Sequence, residues 1–485
     1  MTARSRTAAL FLASAVLLTT AASTGSALAA PRPAPLDGAW RMDGYGTVVS
    51  IEDGGRRLRT YDTTAVSCLP GFRDATRTTA PGVFQQDKDA PITVTAQGRD
   101  RAVLSFGDNV GHRTLRRLPA LPAECRDTPA KADDLRAGTP RAGNLRVFDV
   151  FWQTYAENYP FFAQKGINWK DVREKFRPRA AAAADDTALF EVLKGMIEPL
   201  HDAHTGIIAD PEKREGRFGG HREDTTVPDR DGMLRIAGAV KESVGVPEDQ
   251  WRTWGNGLIS YAETPDRTGY LRITRFQSYT EDGGYAEDSA IVDRALDEIF
   301  TAARTRGPGA LRGLVLDLRF NGGGSDRLAL RVAERLTDRP YLAYLKHARN
   351  DPQDPRRFTP EQPVTATPHR GPVYTGPVAV LTGRLTMSAG ETLTQALMGR
   401  TQPTERIGEN TQGAFSDTLD RRLPNGWSFL LPNEEFLSAR DHRTTYDIKG
   451  ISPDVATPVF TEEEFRAHRD SALAEARKFV ARAGR

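Results

Sequence analysis

The sequence contains little cysteine and no excess of charge of either sign. Only Cys68 and Cys125 occur among its 485 residues, and no Cys/His spacing typical of a zinc site is present. Lys and Arg number 66 against 64 Asp and Glu, which gives a formal net charge of +2. Nucleic acids and anionic membranes require a basic surface, and this balance does not provide one. We therefore expect no metal, no cofactor and no nucleic-acid partner.

Long apolar runs are missing after the first 30 residues, so the sequence predicts no membrane span. Residues 1–29 have the pattern of a secretory signal peptide. Arg4 and Arg6 form a charged start, residues 8–18 are apolar, and residues 27–29 (Ala-Leu-Ala) fit a cleavage site. The apolar run is too short to cross a bilayer. We expect this segment to be removed and the mature protein to be secreted or otherwise extracytoplasmic.

Residues 30–126 predict a small antiparallel β domain, because short alternating runs are separated by turns that contain glycine. In an exported protein, the isolated pair Cys68 and Cys125 is most simply a disulfide, and two free thiols are the alternative. No residue of this domain carries obvious chemistry, so we interpret it as a structural cover. The polar residues 127–143 predict a linker.

A helical subdomain is predicted over residues 144–206 from apolar residues at helical spacing. Its last helix leads into residues 201–205, His-Asp-Ala-His-Thr. His201 and His204 could share a metal on a helix, but the sequence offers no third ligand nearby. Histidines at a helix C-terminus are most often surface residues, so His204 needs further support as a functional residue. Residues 207–268 are polar and predict a loop-rich connection with short strands.

Residues 269–485 predict an α/β core, because strands and helices alternate in the order of a mainly parallel sheet covered by helices. Ligands of such sheets bind at the carboxyl ends of the strands. Residues 321–324 (Asn-Gly-Gly-Gly) follow the buried strand 314–318, and Ser388 follows the strand 378–381. We therefore expect both segments to face one cleft.

Ser388 has two interpretations, and so has the glycine segment. Serine is a favoured N-cap, so Ser388 could simply cap the helix that follows it. Between a buried strand and a helix it could also point its hydroxyl into a cleft, where unsatisfied N–H groups hold an oxyanion. Gly322 and Gly323 could form a plain turn or let backbone N–H groups approach a substrate.

Three segments together resemble the carboxyl-terminal processing (tail-specific) serine protease family. They are DLRFNGGG from Asp317, SAGE from Ser388 and GISPD from Gly450. The resemblance extends from about residue 145 to residue 460. It implies a crotonase-like or ClpP-like α/β core, a serine-type peptidase activity and a peptide or protein substrate.

The family has two catalytic designs. One pairs the serine with a lysine about two dozen residues downstream, but Ala414 stands in that place here. This branch usually carries a PDZ domain, and residues 207–268 lack the expected glycine-rich binding loop. The sequence therefore disfavours a Ser–Lys pair and a PDZ domain.

The other design resembles the core of tricorn protease and its retinoid-binding homologues, which use a histidine from an Asp-x-His-Thr segment. This resemblance implies Ser388 as nucleophile, His204 as base and Asp447 as the orienting carboxylate, with the tetrad serine replaced by Ala203. An Asp447 that held the imidazolium would raise the pKa of His204. Backbone N–H groups of Gly322 or Gly323 and of Ala389 would form the oxyanion hole.

The sequence thus predicts an exported serine endopeptidase. A non-catalytic homologue that binds a lipophilic ligand is the alternative from another class, and an esterase or amidase could use the same site. The oligomeric state and the substrate's identity stay open at this stage.

Overall fold

The computed structural model describes residues 36–126, 140–210 and 215–484. The predicted signal peptide, residues 1–29, lies outside the described residues, as do residues 127–139 of the predicted linker. Residues 140–143 of that linker already belong to a helix. Among the described residues, no helix combines the length and the apolar character needed to cross a membrane.

The N-terminal domain is a closed barrel of eight antiparallel strands. They are β1 (Gly38–Met42), β2 (Thr47–Glu52), β3 (Arg57–Thr64), β4 (Ser67–Arg77), β5 (Val83–Gln85), β6 (Ile92–Ala96), β7 (Arg101–Phe106) and β8 (Arg113–Arg117). Alternate residues of β3 are buried, as expected for strands with one face in a core. The predicted small β domain is confirmed, and its closure into a barrel is new. A disulfide joins Cys68 on β4 to Cys125 on the short helix α1 (Ala123–Arg126).

The predicted helical subdomain follows as α2 (Pro140–Asn158), α3 (Trp169–Ala182) and α4 (Asp186–Ile197), with a 3-10 turn at Glu198–Leu200. Side chains of Asn168 and Asp185 accept hydrogen bonds from the first turns of α3 and α4, which fixes where these helices begin. The buried aromatic residues of α2 pack against Phe429, which lies on a later strand of the chain.

The segment 207–268 differs from the loop-rich connection that the sequence predicts. It contains β9 (Gly206–Asp210), β10 (Glu215–Gly219), α5 (Arg230–Val244), β11 (Arg252–Trp254) and β12 (Ile259–Glu263). Asp229 caps the start of α5, and Gly245 ends it at φ +71°. Only Ile236, Val240 and Val244 of this helix are buried. So small an apolar face gives a weak helical pattern in the sequence.

The remaining chain forms the α/β core. Its elements are β13 (Thr268–Ile273), α6 (Tyr285–Ile299), α7 (Ala302–Thr305), β14 (Gly313–Asp317), α8 (Asp326–Glu334), β15 (Tyr341–Ala348), β16 (Gln362–Ala366), β17 (Val378–Thr382), α9 (Ala389–Leu397), β18 (Thr404–Gly408), β19 (Thr418–Arg422), β20 (Ser428–Pro432), β21 (Glu434–Ser438), β22 (Val455–Ala456), α10 (Glu462–Arg466) and α11 (Ser471–Ala483). The described chain ends in the two helices α10 and α11, and Asp470 caps the second.

A seven-stranded sheet in the order β11-β12-β13-β14-β17-β18-β22 forms the centre of the core, and its strands from β13 onwards run parallel. Helices α6, α8 and α9 cover one face, and α5 and α11 cover the other. Burial on both faces explains why β14 and β17 are uninterrupted apolar runs. The predicted fold class is confirmed. Because β14 and β17 are parallel neighbours, the segments that follow them meet at one edge of the sheet.

Candidate active site

Ser388 lies in a strained turn between β17 and α9. Its backbone has φ +53° and ψ −124°, a conformation that costs a residue other than glycine about 1–3 kcal/mol. Ser388 occupies the N-cap position of α9, but its side chain makes no capping hydrogen bond. Within the described part of the chain, its Oγ has no hydrogen-bond partner at all. The plain N-cap interpretation therefore does not describe this serine.

The glycine segment after β14 packs directly against this turn. A Cβ placed on Gly323 would lie 2.5 Å from the Cβ of Ser388 and 3.0 Å from its Oγ. Gly323 also has φ +83°, which other residues rarely adopt. The N–H of Met387 donates to the carbonyl of Asn321 over 3.0 Å and joins the two loops. The structure thus brings Ser388 and Gly323 together at the carboxyl edge of the sheet.

The three predicted oxyanion donors differ in their present partners. The N–H of Gly322 donates to the carbonyl of Thr274 over 3.0 Å. The N–H of Gly323 donates to Oδ1 of Asn321 over 2.9 Å. The N–H of Ala389, at the start of α9, has no acceptor among the residues that the structure describes. Ala389 is therefore the donor that is free to bind an oxyanion without giving up a bond.

His204 is held in a rigid loop after α4. Oδ1 of Asp202 accepts a hydrogen bond from the N–H of His204 over 2.9 Å, and Oδ2 accepts one from the hydroxyl of Tyr159 over 2.8 Å. The hydroxyl of Thr205 donates to the carbonyl of Asp202 over 2.8 Å. The His204 side chain is only 6% exposed, and its Nδ1 is buried without a partner in the described structure. A buried unpaired ring nitrogen is uncommon and suggests a functional role.

The other histidine of this segment has different surroundings. His201 adopts φ +46°, is partly exposed, and its Nε2 lies 3.0 Å from a carboxylate oxygen of Glu223. His204 is instead enclosed. The two histidines thus make separate contacts.

Burial lowers the pKa of His204 below the usual histidine value, and the charges of Asp202 and Asp417 oppose this only in part. The imidazole is therefore neutral at neutral pH, which is the form that can accept a proton. The pKa increase expected from Asp447 is wrong, because the desolvation of the ring outweighs the nearby carboxylates.

The carboxylate of Asp447 accepts hydrogen bonds from two separate backbone segments. Its Oδ2 accepts hydrogen bonds from the hydroxyl of Thr445 over 2.6 Å and from the N–H of Phe436 over 3.3 Å, and Oδ1 accepts one from the N–H of Phe415 over 3.4 Å. Burial raises the pKa of Asp447 well above the usual range, so it carries little charge at neutral pH. Its charge is not among those that act on His204.

Asp417 is the carboxylate that sequence reasoning missed. It lies just before β19, and its Oδ2 accepts hydrogen bonds from Nζ of Lys346 over 3.0 Å and from Nη2 of Arg113 over 3.2 Å. Burial alone would raise the pKa of Asp417, but the charges of Lys346 and Arg113 outweigh it and lower the pKa. Asp417 is therefore ionised and acts on His204. No motif marks it, because Lys346, Arg113 and His204 come from distant parts of the chain.

The segment from Gly413 to Asp417 leads from the serine turn to the charged cluster around Asp417. At one end, the N–H of Ser388 donates to the carbonyl of Ala414 over 2.9 Å. Glu391, in the first turn of α9, accepts hydrogen bonds from the N–H groups of Gly413 and Ala414 over 2.7 and 2.8 Å. Burial raises the pKa of Glu391 to about 7. Asp417 lies at the other end of the segment, and its charge acts on His204.

Neither Ala414 nor Lys346 supplies a base at this segment. Ala414, which replaces the lysine of the Ser–Lys design, has a methyl side chain only. Lys346 is buried, and although burial alone would lower its pKa, Asp417 and Glu434 raise it. Lys346 therefore stays protonated. Lys449 is exposed and lines a groove of about 920 Å³ beside the segment, whose lining also includes Arg222, Asp224, Arg384 and Glu409.

Comparisons with known proteins agree with this architecture. Residues 267–457 match the profile of peptidase family S41, and residues 140–198 match that of the tricorn protease C1 domain. Residues 267–457 therefore form a peptidase family S41 domain. Ser388, Gly323, Asp417 and Asp447 lie within the S41 match, whereas His204 lies just after the C1 match. No curated protein matches this chain in sequence.

A solved structure shares the fold. It is a protein of Parabacteroides merdae ATCC 43184, described as a candidate peptidase, which is 22% identical, with a TM-score of 0.54 over 71% of this chain and 97% of that chain. Weaker similarities are also found. Mature CPAF is 13% identical, with a TM-score of 0.49 over 71% of this chain and 99% of that one. Tricorn protease is 13% identical, with a TM-score of 0.41 over 92% of this chain and 47% of its own.

Proposed function

We propose that this protein is an exported serine endopeptidase in which Ser388 is the nucleophile and His204 is the general base. The observation that carries the proposal is the Ser388 turn. A strained serine with an unpartnered hydroxyl, pressed against Gly323 beside a free helix N-terminus, supports nucleophilic catalysis far better than helix capping. Membership of family S41 supports peptide bonds as the substrate.

The proposed reaction passes through an acyl-enzyme. His204 takes the proton of the Ser388 hydroxyl as Oγ attacks the carbonyl carbon of the substrate. The imidazolium then returns this proton to the amine leaving group, and the C–N bond breaks. A water molecule, deprotonated by the same imidazole, attacks the ester carbonyl and releases the second product and the serine. Asp417 is the ionised carboxylate that would stabilise the imidazolium of each half-reaction.

The oxyanion would be held at the start of α9. The free N–H of Ala389 is the first donor, and it benefits from the positive end of the helix dipole. The N–H of Gly323 could add a second bond by exchanging its contact with Oδ1 of Asn321 for the substrate. The N–H of Gly322 is committed to Thr274 and contributes less.

The other interpretations of the sequence find less support. The surroundings of His204 and Asp417 are strongly charged, which does not suit a lipophilic ligand. An esterase or amidase would use the same residues, and only its substrates would differ. Export is supported by the signal-like residues 1–29 and by the disulfide, since disulfides persist in oxidising compartments.

The proposal is tested by treating the purified protein with a fluorophosphonate probe and identifying the labelled peptide. We expect the label on Ser388 and cleavage of an unstructured protein such as casein at internal bonds. Label on Ser388 with turnover of p-nitrophenyl esters but not of peptides would favour the esterase. A folded protein that takes no label would contradict the proposed function.

A further inference from the structure

The N-terminal barrel contributes two buried side chains to the charged cluster around Asp417 and Glu434. Tyr45, in the turn between β1 and β2, is buried, and its hydroxyl donates to Oε1 of Glu434 over 2.5 Å. Arg113, at the start of β8, is 6% exposed. Its guanidinium carbon lies 4.6 Å from the centre of the Tyr45 ring and 4.7 Å from that of Phe106. These contacts aim the guanidinium out of the barrel, towards Asp417.

Further hydrogen bonds fasten the barrel at this place. The side-chain amide of Asn433 donates to the carbonyl of Gly44 over 2.7 Å. The hydroxyl of Ser325 donates to the carbonyl of Asp108 over 2.5 Å. Buried polar contacts of this kind are lost if the partners separate, so they hold the barrel in one position on the core. This attachment is more specific than the structural cover that the sequence predicts.

The charges of the cluster explain why an arginine is needed. Nζ of Lys346 contacts both carboxylates, with 3.0 Å to Asp417 and 3.3 Å to Glu434. One lysine cannot neutralise two buried carboxylates, and Arg113, 3.2 Å from Asp417, supplies the second cation. Of the two cations, only Arg113 comes from the barrel.

We propose that Arg113 of the barrel is a positioning residue of the catalytic centre, which holds the Asp417 carboxylate at the end of the segment whose Ala414 carbonyl binds the N–H of Ser388. This role rests on the proposed function. Arg113 does not itself face the substrate; it acts through Asp417. The barrel thereby contributes a necessary part of the site.

The expected direction follows from the groups around His204. Asp417 and Asp202 act on the imidazole directly. Asp417 in turn interacts with the cations Lys346 and Arg113. The other titratable groups around these two cations are Glu434, Tyr45 and Asp326. Removing the charge of Arg113 leaves the surroundings of His204 more negative. The imidazolium is then favoured, and the proton affinity of His204 rises.

The test uses the full mature chain with histidine-selective isotope labels. The imidazole signal of His204, identified by its loss in His204→Gln, is titrated by NMR in the Ser388→Ala background. In Arg113→Met we expect the His204 pKa to rise by about half a unit or more. In the enzyme with Ser388 intact, the lower inflection of kcat/KM should move in the same direction, with kcat reduced about tenfold to a hundredfold by the misplaced carboxylate.

Three further variants complete the test. Arg113→Lys keeps the cation and should leave the His204 titration near that of the parent protein. Arg116→Met removes a partly exposed cation of the same strand, which pairs with Asp43, and should change neither the titration nor kcat. Asp417→Asn removes the carboxylate and should lower the His204 pKa. This variant tests the link between Asp417 and His204 even if Arg113→Met does not fold.

The possible outcomes distinguish a failure of the role of Arg113 from a failure of the proposed function. If Arg113→Met lowers only the unfolding temperature and leaves the titration and the pH profile unchanged, Arg113 is merely structural. An unchanged His204 pKa in Asp417→Asn would overturn the inference as well. If the parent protein is labelled and active, either of these two results overturns the role of Arg113 but leaves the proposed function standing. A parent protein that is neither labelled nor active overturns the proposed function and this role with it.

Discussion

Two serines at the same edge of the sheet show how one residue type serves two purposes. Ser325 and Ser388 each begin a helix after one of two neighbouring strands. Ser325 has φ −73°, and its Oγ accepts a hydrogen bond from the N–H of Leu328, as an N-cap should. Ser388 has φ +53° and makes no such bond. The backbone conformation, which the sequence does not reveal, decides between cap and candidate nucleophile.

This difference predicts opposite effects of two alanine substitutions. Ser388→Ala should abolish fluorophosphonate labelling and peptidase activity while leaving stability almost unchanged, because no hydrogen bond of its side chain is lost. Ser325→Ala should keep the label but lower the free energy of unfolding by about 2 kcal/mol, through loss of the cap and of the hydrogen bond to the Asp108 carbonyl. Labelling and denaturant unfolding of both variants measure this. Activity retained by Ser388→Ala would refute its assignment.

The adjacent glycines offer a second contrast between residues. Gly323→Ala would place a methyl group 2.5 Å from Cβ of Ser388 at a φ of +83°, so we expect kcat/KM to fall at least about a hundredfold. Gly322 has open space around its Cα and no positive φ, and Gly322→Ala keeps its N–H. It should retain most of the activity. Steady-state assays with one peptide substrate compare the two, and equal losses would contradict this packing argument.

The lowered pKa of His204 predicts how activity depends on pH. A neutral base should make kcat/KM rise with pH through an inflection below the ordinary histidine value of about 6.5. The same group affects stability. On unfolding, His204 regains its ordinary pKa and binds a proton, so its contribution is present above about pH 6.5 and is lost as pH falls towards the folded pKa. An activity profile without this inflection in the parent protein would argue against His204 as base.

At the scale of elements, the parallel sheet explains which parts of the site are predictable. The strands β14 and β17 are recognisable as buried runs, and the rule that sites lie at their carboxyl ends leads directly to Gly323 and Ser388. Asp417 could not be found in this way. Its partners Lys346 and Arg113 reach it from a strand of the core and a strand of the barrel.

The missed helix α5 has a related cause. Helix prediction relies on an apolar face, and this helix buries only three residues over its 15 positions. Its capping residues, Asp229 and Gly245, were the better signal. The closure of the first domain into a barrel could not be inferred either, because register and strand order depend on contacts between distant residues.

Helix α9 and the segment it binds give a prediction at the scale of elements. Glu391 of this helix has a pKa of about 7, raised mainly by burial. Its folded form therefore binds more protons than its unfolded form, and its contribution to stability is lost as pH rises from about 4.5 to 7. Glu391→Gln removes this dependence. The difference in free energy of unfolding, parent minus Glu391→Gln, should decrease over this pH range.

Denaturant unfolding of both proteins at several pH values measures this difference. Glu391→Gln should also lower kcat, since Gln accepts less strongly from the N–H groups of Gly413 and Ala414 and loosens the segment that bears Asp417. If the difference in free energy of unfolding between the two proteins stays constant with pH, Glu391 has the same pKa in the folded and unfolded states, and this prediction is wrong.

At the scale of the whole molecule, the disulfide ties the stability of the barrel to the active site. The bond between Cys68 and Cys125 links α1, where the chain leaves the barrel, back to β4, and it closes a separation of 57 residues. A loop of this length corresponds to about 4 kcal/mol of stabilisation in the chain-entropy model. Since the barrel provides Arg113 to the charged cluster, opening the barrel should also disturb Asp417.

We therefore expect reduction to lower stability and activity together. With reductant, the parent protein should unfold at a lower denaturant concentration, and peptidase activity should be lost over the same range, because the barrel and the site would come apart in one step. The variant Cys68→Ala/Cys125→Ala should behave like the reduced protein and be insensitive to reductant. If the barrel lost its structure while activity persisted, the barrel would be a cover that catalysis does not need, and the link through Arg113 would be wrong.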